Sequence, residues 1–176
     1  PAFPYDAKGL LAAAIEDQNP VLFFEHKALY RTITQEIPED YYTLPLGKAS
    51  VVQEGSKITL ITYGAPVHWA IEVLNDNIDW SVELIDLRCL IPLDYDTIKA
   101  SVVKTGKVLL VTEDVNFGSI TADISAYIAD DCFAYLDAPI KRLSSLDTPI
   151  PFAQPLENQY LAKRKLAEAI EALLAY

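Results

Sequence analysis

VELIDLRCLIPLDYDTIKASVVKTGKVLLVTED, residues 82–114, reads as strand, loop, helix, tight stop and strand. Val82–Leu87 and Val108–Thr112 are short runs rich in Val, Ile and Leu. They lack the polar alternation of a strand with one wet face, so both are expected to be buried on both sides. Asp94 stands where a helix N-cap belongs, and Ile98 and Val102 lie one helical turn apart behind it. Gly106, after Lys104, fits a left-handed C-terminal cap. Two buried strands joined by a helix run parallel through a right-handed crossover. The chain is therefore expected to be α/β.

The same rhythm extends in both directions. Upstream, Ser50–Glu54 and Lys57–Tyr63 read as strands, and Pro66 fits the first turn of a helix with Val67, Ala70, Ile71, Leu74 and Ile78 on one stripe. Downstream, Ile120, Ile124, Tyr127 and Ile128 mark a helix, Pro139–Leu143 a last strand, and Gln159–Leu174 a terminal helix buried through Leu166, Ile170, Leu173 and Leu174. The expected architecture is a small, mainly parallel sheet with helices on both faces and one antiparallel edge strand. At the start, Pro1–Asp6 reads as extended, Ala7–Glu16 as a helix with Leu10, Leu11, Ala14 and Ile15 on its apolar face, and Val21–Glu25 as a strand. One helix and one strand make no core, so this piece is expected to need neighbours. Thr34–Pro45, with prolines at both ends of a polar stretch, reads as a linker.

Composition excludes several classes. With 51% hydrophobic residues in 176, the chain can fill a core, and a net charge of −11 argues against nucleic acid or an anionic membrane as partner. No apolar run is long enough to span a bilayer and no signal peptide is recognisable, which leaves the cytoplasm as the expected compartment. Cys89 and Cys132 have no metal-ligand spacing and read as buried thiols rather than a disulfide. The absence of methionine and the opening PAFPYDAKG read as the interior of a longer protein.

Local chemistry is sparse. There is no GxGxxG or phosphate loop, and Gly64 and Gly118 read as turn residues. His68 reads as a hydrogen-bonded helix residue, and His26 as the end of a strand beside Glu25. Glu113 and Asp114 end a central strand where ligands gather in α/β sheets, yet adjacent carboxylates point apart and make a poor acid/base pair. Asp130 and Asp131 oppose the dipole of their own helix end. AIEDQN, residues 14–19, offers a helix-terminal carbonyl with Asp17 and Asn19 beside it. That set of hard oxygen donors suits a cation, and equally suits capping and turn formation.

Taken in order, PYDAKGLLAAAIEDQNPVLFFEHKALYR (4–31), PLGKASVVQEGSKITLITYG (45–64), ELIDLRCLIPLDYDTI (83–98), VKTGKVLLVTED (103–114) and LDAPIKRLSSLDTPIPFA (136–153) resemble the β subunit of thiamine-diphosphate-dependent 2-oxo acid dehydrogenases, of pyruvate and branched-chain type. The resemblance runs end to end and covers the C-terminal half of such a subunit. It implies residues 1–35 as the tail of a pyrimidine-binding domain, 36–45 as linker and 46–176 as a transketolase-type C-terminal domain. It implies oxidative decarboxylation of a 2-oxo acid by the parent enzyme, with acyl transfer to a lipoyl acyltransferase. Thiamine diphosphate and magnesium serve the parent and are not expected on this stretch alone. The expected partners are an α chain, a second β chain and the acyltransferase's subunit-binding domain, with no nucleic acid and no membrane.

No catalytic or cofactor-binding residue carries over, and His26 matches no catalytic position. The carbonyl of Ala14 with Asp17 and Asn19 matches a structural potassium site whose other ligands lie elsewhere. Asp137 and the terminal carboxylate on Tyr176 match the acyltransferase docking surface. Lys141 stands near where some members carry a second acid. Two other readings remain: a different transketolase-superfamily enzyme, such as a transketolase or deoxyxylulose-phosphate synthase, and a non-catalytic docking module. DLRCLIPLD followed by KTGKVLLVTED favours the first.

Overall fold

The structure is a computed structural model that describes residues 1–176. Helix α1 (Pro4–Glu16) and the single turn α2 (Leu29–Thr32) precede β1 (Ser50–Gln53), β2 (Ile58–Thr62) and α3 (Ala65–Asn75). Then follow β3 (Val82–Asp86), α4 (Tyr95–Thr105), β4 (Val108–Val115), α5 (Ile120–Asp131) and β5 (Lys141–Ser145). α6 (Gln154–Tyr160) and α7 (Leu166–Leu174) close the chain. The strands form one sheet in the order β1-β3-β2-β4-β5, parallel throughout except where β1 pairs antiparallel with β3 at the rim.

Period-two alternation divides the strand side chains between two apolar layers. Ile58, Leu60, Val82, Leu84, Leu109 and Val111 face α3 and α7. Ile61, Ile85, Val108 and Leu110 face Ile98 and Val102 of α4 and Ile124 and Ile128 of α5. With both faces covered, β2 and β3 are buried at every position, as their unbroken apolar runs require. Buried hydroxyls under α4 are paired with one another: that of Thr59 meets those of Ser101 (2.6 Å) and Thr105 (2.7 Å). The punctuation of the central unit is as its sequence indicates. Asp94 caps α4 by accepting from the Thr97 N–H and hydroxyl, and Gly106 ends it at φ +67°. At the far rim β5 opens with exposed Lys141 and Arg142.

Six expectations fail. Pro1–Asp6 is not all extended: α1 begins at Pro4, because proline in a first turn gives up only an N–H that the helix leaves unbonded anyway. Its apolar face is not all buried, since Leu10 is covered while Ile15 is 76% exposed. Val21–Glu25 runs without a strand partner, because no neighbouring strand offers it a ladder. α3 stops at Asn75, leaving Ile78 on an exposed 3₁₀ turn. The terminal helix is broken after Tyr160, where the buried ring and the Tyr160 carbonyl, which accepts from the Leu146 N–H (3.1 Å), hold the chain and Leu161 turns extended. Both cysteines are free; Cys132 is buried, but Cys89 is partly exposed.

Candidate functional site

The polar groups that repay attention gather at the carboxyl edge of the parallel strands. β2 leads to α3 on one face and β4 leads to α5 on the other, so the crevice between their ends is the switch point at which α/β sheets take ligands. There the Tyr63 hydroxyl meets Thr112 Oγ1 at 3.0 Å, and Thr62 donates to the Val111 carbonyl at 2.9 Å. Residues 1–33 lie against this edge. The Ala2 carbonyl accepts from His68 Nε2 at 2.7 Å, and the Phe3 ring stands edge-on to the same imidazole. His26 Nε2 contacts Glu113 Oε2 at 2.9 Å. Glu113 and Asp114 thus diverge as expected, with Glu113 turned onto His26 and Asp114 accepting from the Val115 N–H.

Beside them is a buried charge cluster that the sequence did not signal. Asp86, at the end of β3, is fully buried and accepts from the Arg88 N–H at 3.1 Å through Oδ1, while Oδ2 has no partner. Arg88 adopts φ +57° and directs Nη2 to Asp6 Oδ1 at 2.6 Å. Burial pushes the Asp86 carboxyl up to about 6, with nearby Asp6 adding to the rise and the Arg88 N–H opposing it.

At the other end of α1, Asp17 and Asn19 are hydrogen-bonded to each other, and Ala14 lies in the last turn of the helix before them. The Asn19 backbone N–H and side-chain amide donate to Asp17 Oδ1 at 2.8 and 3.0 Å, holding that carboxyl below its ordinary range. The Asp17 N–H closes the helix on Ala13, so the Ala14 carbonyl accepts no backbone hydrogen bond. The Ala14 carbonyl, the second Asp17 oxygen and the Asn19 amide oxygen fit a hard cation in kind, and fill part of the shell of about six to eight such an ion takes. An open depression of ≈ 460 Å³ lies alongside, lined by Asp17, Glu16 and the 43–46 stretch. No group of three or more His, Cys, Asp or Glu side chains is placed to hold a metal ion.

Asp137 and Tyr176 are exposed, and the turn between α4 and β4 is bonded to Asp137 and to the helix that ends before Tyr176. The Asp137 N–H donates to the Gly106 carbonyl at 2.7 Å, and the adjacent Lys107 Nζ reaches the Leu174 carbonyl at 3.3 Å, two residues before Tyr176. Asp130 and Asp131, nearby in sequence, are exposed and enter no ion pair.

Residues 47–165 match the family model described as the transketolase C-terminal domain. The chain belongs to the transketolase C-terminal domain family. The chain is 49% identical over 99% of its length to the 2-oxoisovalerate dehydrogenase β subunit of Bacillus subtilis, covering 54% of that protein. Its identity is 48% to the β subunit of acetoin:2,6-dichlorophenolindophenol oxidoreductase and 47% to the pyruvate dehydrogenase E1 component β subunit of the same organism, over 92% and 94% of the chain and 47% and 51% of those proteins. The chain thus spans about half the length of the curated relatives it matches. Among solved structures, a split-gene transketolase, an inactive β4 tetramer, superposes with a TM-score of 0.64 over 78% of this chain and 46% of its own, at 20% identity. That likeness shows the fold. No helix is long and apolar enough to cross a membrane.

Proposed function

We propose that this chain is the C-terminal portion of the β subunit of a 2-oxo acid dehydrogenase decarboxylating component, serving subunit assembly and acyltransferase docking. The observation that carries the reading is the near-half identity, over more than nine-tenths of the chain, to three β subunits of this class. In the parent enzyme a 2-oxo acid is decarboxylated and the acyl group passes to a lipoyl acyltransferase. Thiamine diphosphate, with magnesium, supplies the electron sink for that decarboxylation and is held by other residues. The relatives' names span pyruvate, 2-oxoisovalerate and acetoin, so the substrate is one of this class of small carbonyl compounds.

In this reading residues 1–35 belong to a pyrimidine-binding domain, 36–45 link it, and 46–176 form the C-terminal domain. The unpaired Val21–Glu25 run and the exposed Ile15, Leu22 and Phe24 support a neighbouring domain over that surface. Ala14, Asp17 and Asn19 contribute to a potassium site completed by that neighbour. Asp137 and Tyr176 meet the subunit-binding domain of the acyltransferase, and an α chain and a second β chain complete the enzyme.

The test is reconstitution. The full-length β chain carrying these residues, purified with its α chain, thiamine diphosphate and Mg²⁺, should reduce dichlorophenolindophenol with pyruvate, 2-oxoisovalerate or acetoin. Residues 1–176 alone should not. Turnover by residues 1–176, or an assembled enzyme that acts only on ketose phosphates, would overturn the assignment.

A further inference from the structure

The chain meets its need for positive φ mainly with glycine, at Gly47, Gly64, Gly106 and Gly118. Arg88 adopts the same left-handed backbone, at φ +57°, with a long side chain that pays a steric penalty glycine would avoid. The side chain shows what the conformation achieves. Asp86 Oδ1 accepts from the Arg88 N–H and holds the turn, and the turn aims the guanidinium across the sheet edge onto Asp6. Both side chains are mostly covered, 18% exposed for Arg88 and 3% for Asp6, so the pair sits in the low-dielectric regime where truncating one partner strands the other. Asp6 lies in the first turn of α1, where the helix dipole also favours a carboxylate.

Toward the sheet, α1 makes no other hydrogen bond or ion pair. Of its 13 residues only Asp6, Gly9 and Leu10 are buried, and the outward stripe of Leu11 and Ile15 is uncovered. Its remaining bonds run to the 35–44 stretch, where Lys8 Nζ donates to the Asp40 carbonyl at 2.9 Å, the Tyr42 hydroxyl to the Tyr5 carbonyl at 2.8 Å and the Leu44 N–H to the Gly9 carbonyl at 3.0 Å. The segment meets the sheet edge again outside the helix, at Ala2 on His68 and at His26 on Glu113. We propose that Arg88 is a clamp residue, kept in a strained backbone so that its guanidinium fixes α1, and with it the residue 1–33 segment, to the carboxyl edge of the sheet. Arg88 acts through Asp6 and is a positioning residue. The crevice at the strand switch point therefore works as a socket for the chain's own leading segment, and the oxygen donors at the far end of α1 inherit their placement from this pair.

Arg88→Gly separates the two roles of the residue, since it relieves the left-handed backbone while removing the guanidinium. Amide hydrogen exchange on the full chain, followed residue by residue, should show α1 amides from Leu10 to Glu16 exchanging roughly tenfold faster or more. Amides of β2 and β4 should be unchanged or slower. Asp6→Asn, which leaves the β3–α4 turn intact, should accelerate α1 in the same selective way. It also keeps the inference testable if Arg88→Gly folds poorly. Retained protection of α1 in Asp6→Asn, or uniform acceleration across helix and strands in both variants, would overturn the clamp and leave Arg88 as a turn residue.

Discussion

Asp86 offers the sharpest prediction about stability. In the unfolded chain its carboxyl releases a proton near 3.8; in the folded chain burial raises that to about 6. Between these values the folded state binds more protons, so Asp86's contribution to stability falls as pH rises through the window and levels off above 6. The gap of about 2 pK units corresponds to about 3 kcal/mol of penalty at pH 8, and to about half of that at pH 5. Asp86→Asn keeps an acceptor for the Arg88 N–H and removes the buried charge. It should therefore stabilise the chain by up to about 3 kcal/mol at pH 8 and by about 1.5 kcal/mol at pH 5. Urea unfolding of both proteins at pH 5, 6.5 and 8 measures this difference directly. A stability difference that does not change with pH, or a variant less stable than the parent at pH 8, would refute an ionised, unrelieved Asp86.

Gly106→Ala should cost about 1–2 kcal/mol, because the site combines φ +67° with a Cβ position that would run into the Asp137 carboxylate; a urea midpoint equal to that of the parent would contradict it. Asp137→Lys in the assembled enzyme should weaken binding of the acyltransferase subunit-binding domain about tenfold or more by calorimetry, and equal affinity would remove Asp137 from that surface. With the full-length β chain, KCl should raise the melting temperature above that in equal NaCl, and Asp17→Ala should abolish the difference. An equal response to the two salts in the parent would dispose of a potassium site.

What was legible in the sequence was what is local. Asp94 and Gly106 bracket α4 because a cap and a left-handed stop depend on residues within one turn. Ile98, Val102, Ile124 and Ile128 fall on buried faces because the helical period alone places them. The apolar runs of β2, β3 and β4 likewise announced a sheet covered on both sides. The errors came where tertiary contacts decide. Val21–Glu25 has a strand's composition but lacks a ladder partner, and Tyr160 breaks a periodic helical pattern because its ring and carbonyl are engaged elsewhere. The pairings across the polar edge of the sheet were invisible for the same reason. Arg88 and Asp6 are 82 positions apart and His26 and Glu113 are 87, and no spacing rule links residues at such distances. DLR read as the end of a strand, with nothing to mark its arginine as left-handed. The Asp17–Asn19 turn, by contrast, was visible because it needs only a helix end to form.

The rim strand β5 constrains how this molecule meets others. Its outer backbone N–H and C=O groups are free to template another strand, yet the strand begins with two solvent-facing cations, Lys141 and Arg142. A second copy docking there edge to edge would set like charges side by side. The opposite rim is taken up by the short, bulged β1. Fibre-like growth through shared hydrogen-bond ladders is thereby discouraged at both ends, and association is steered to the side-chain surfaces.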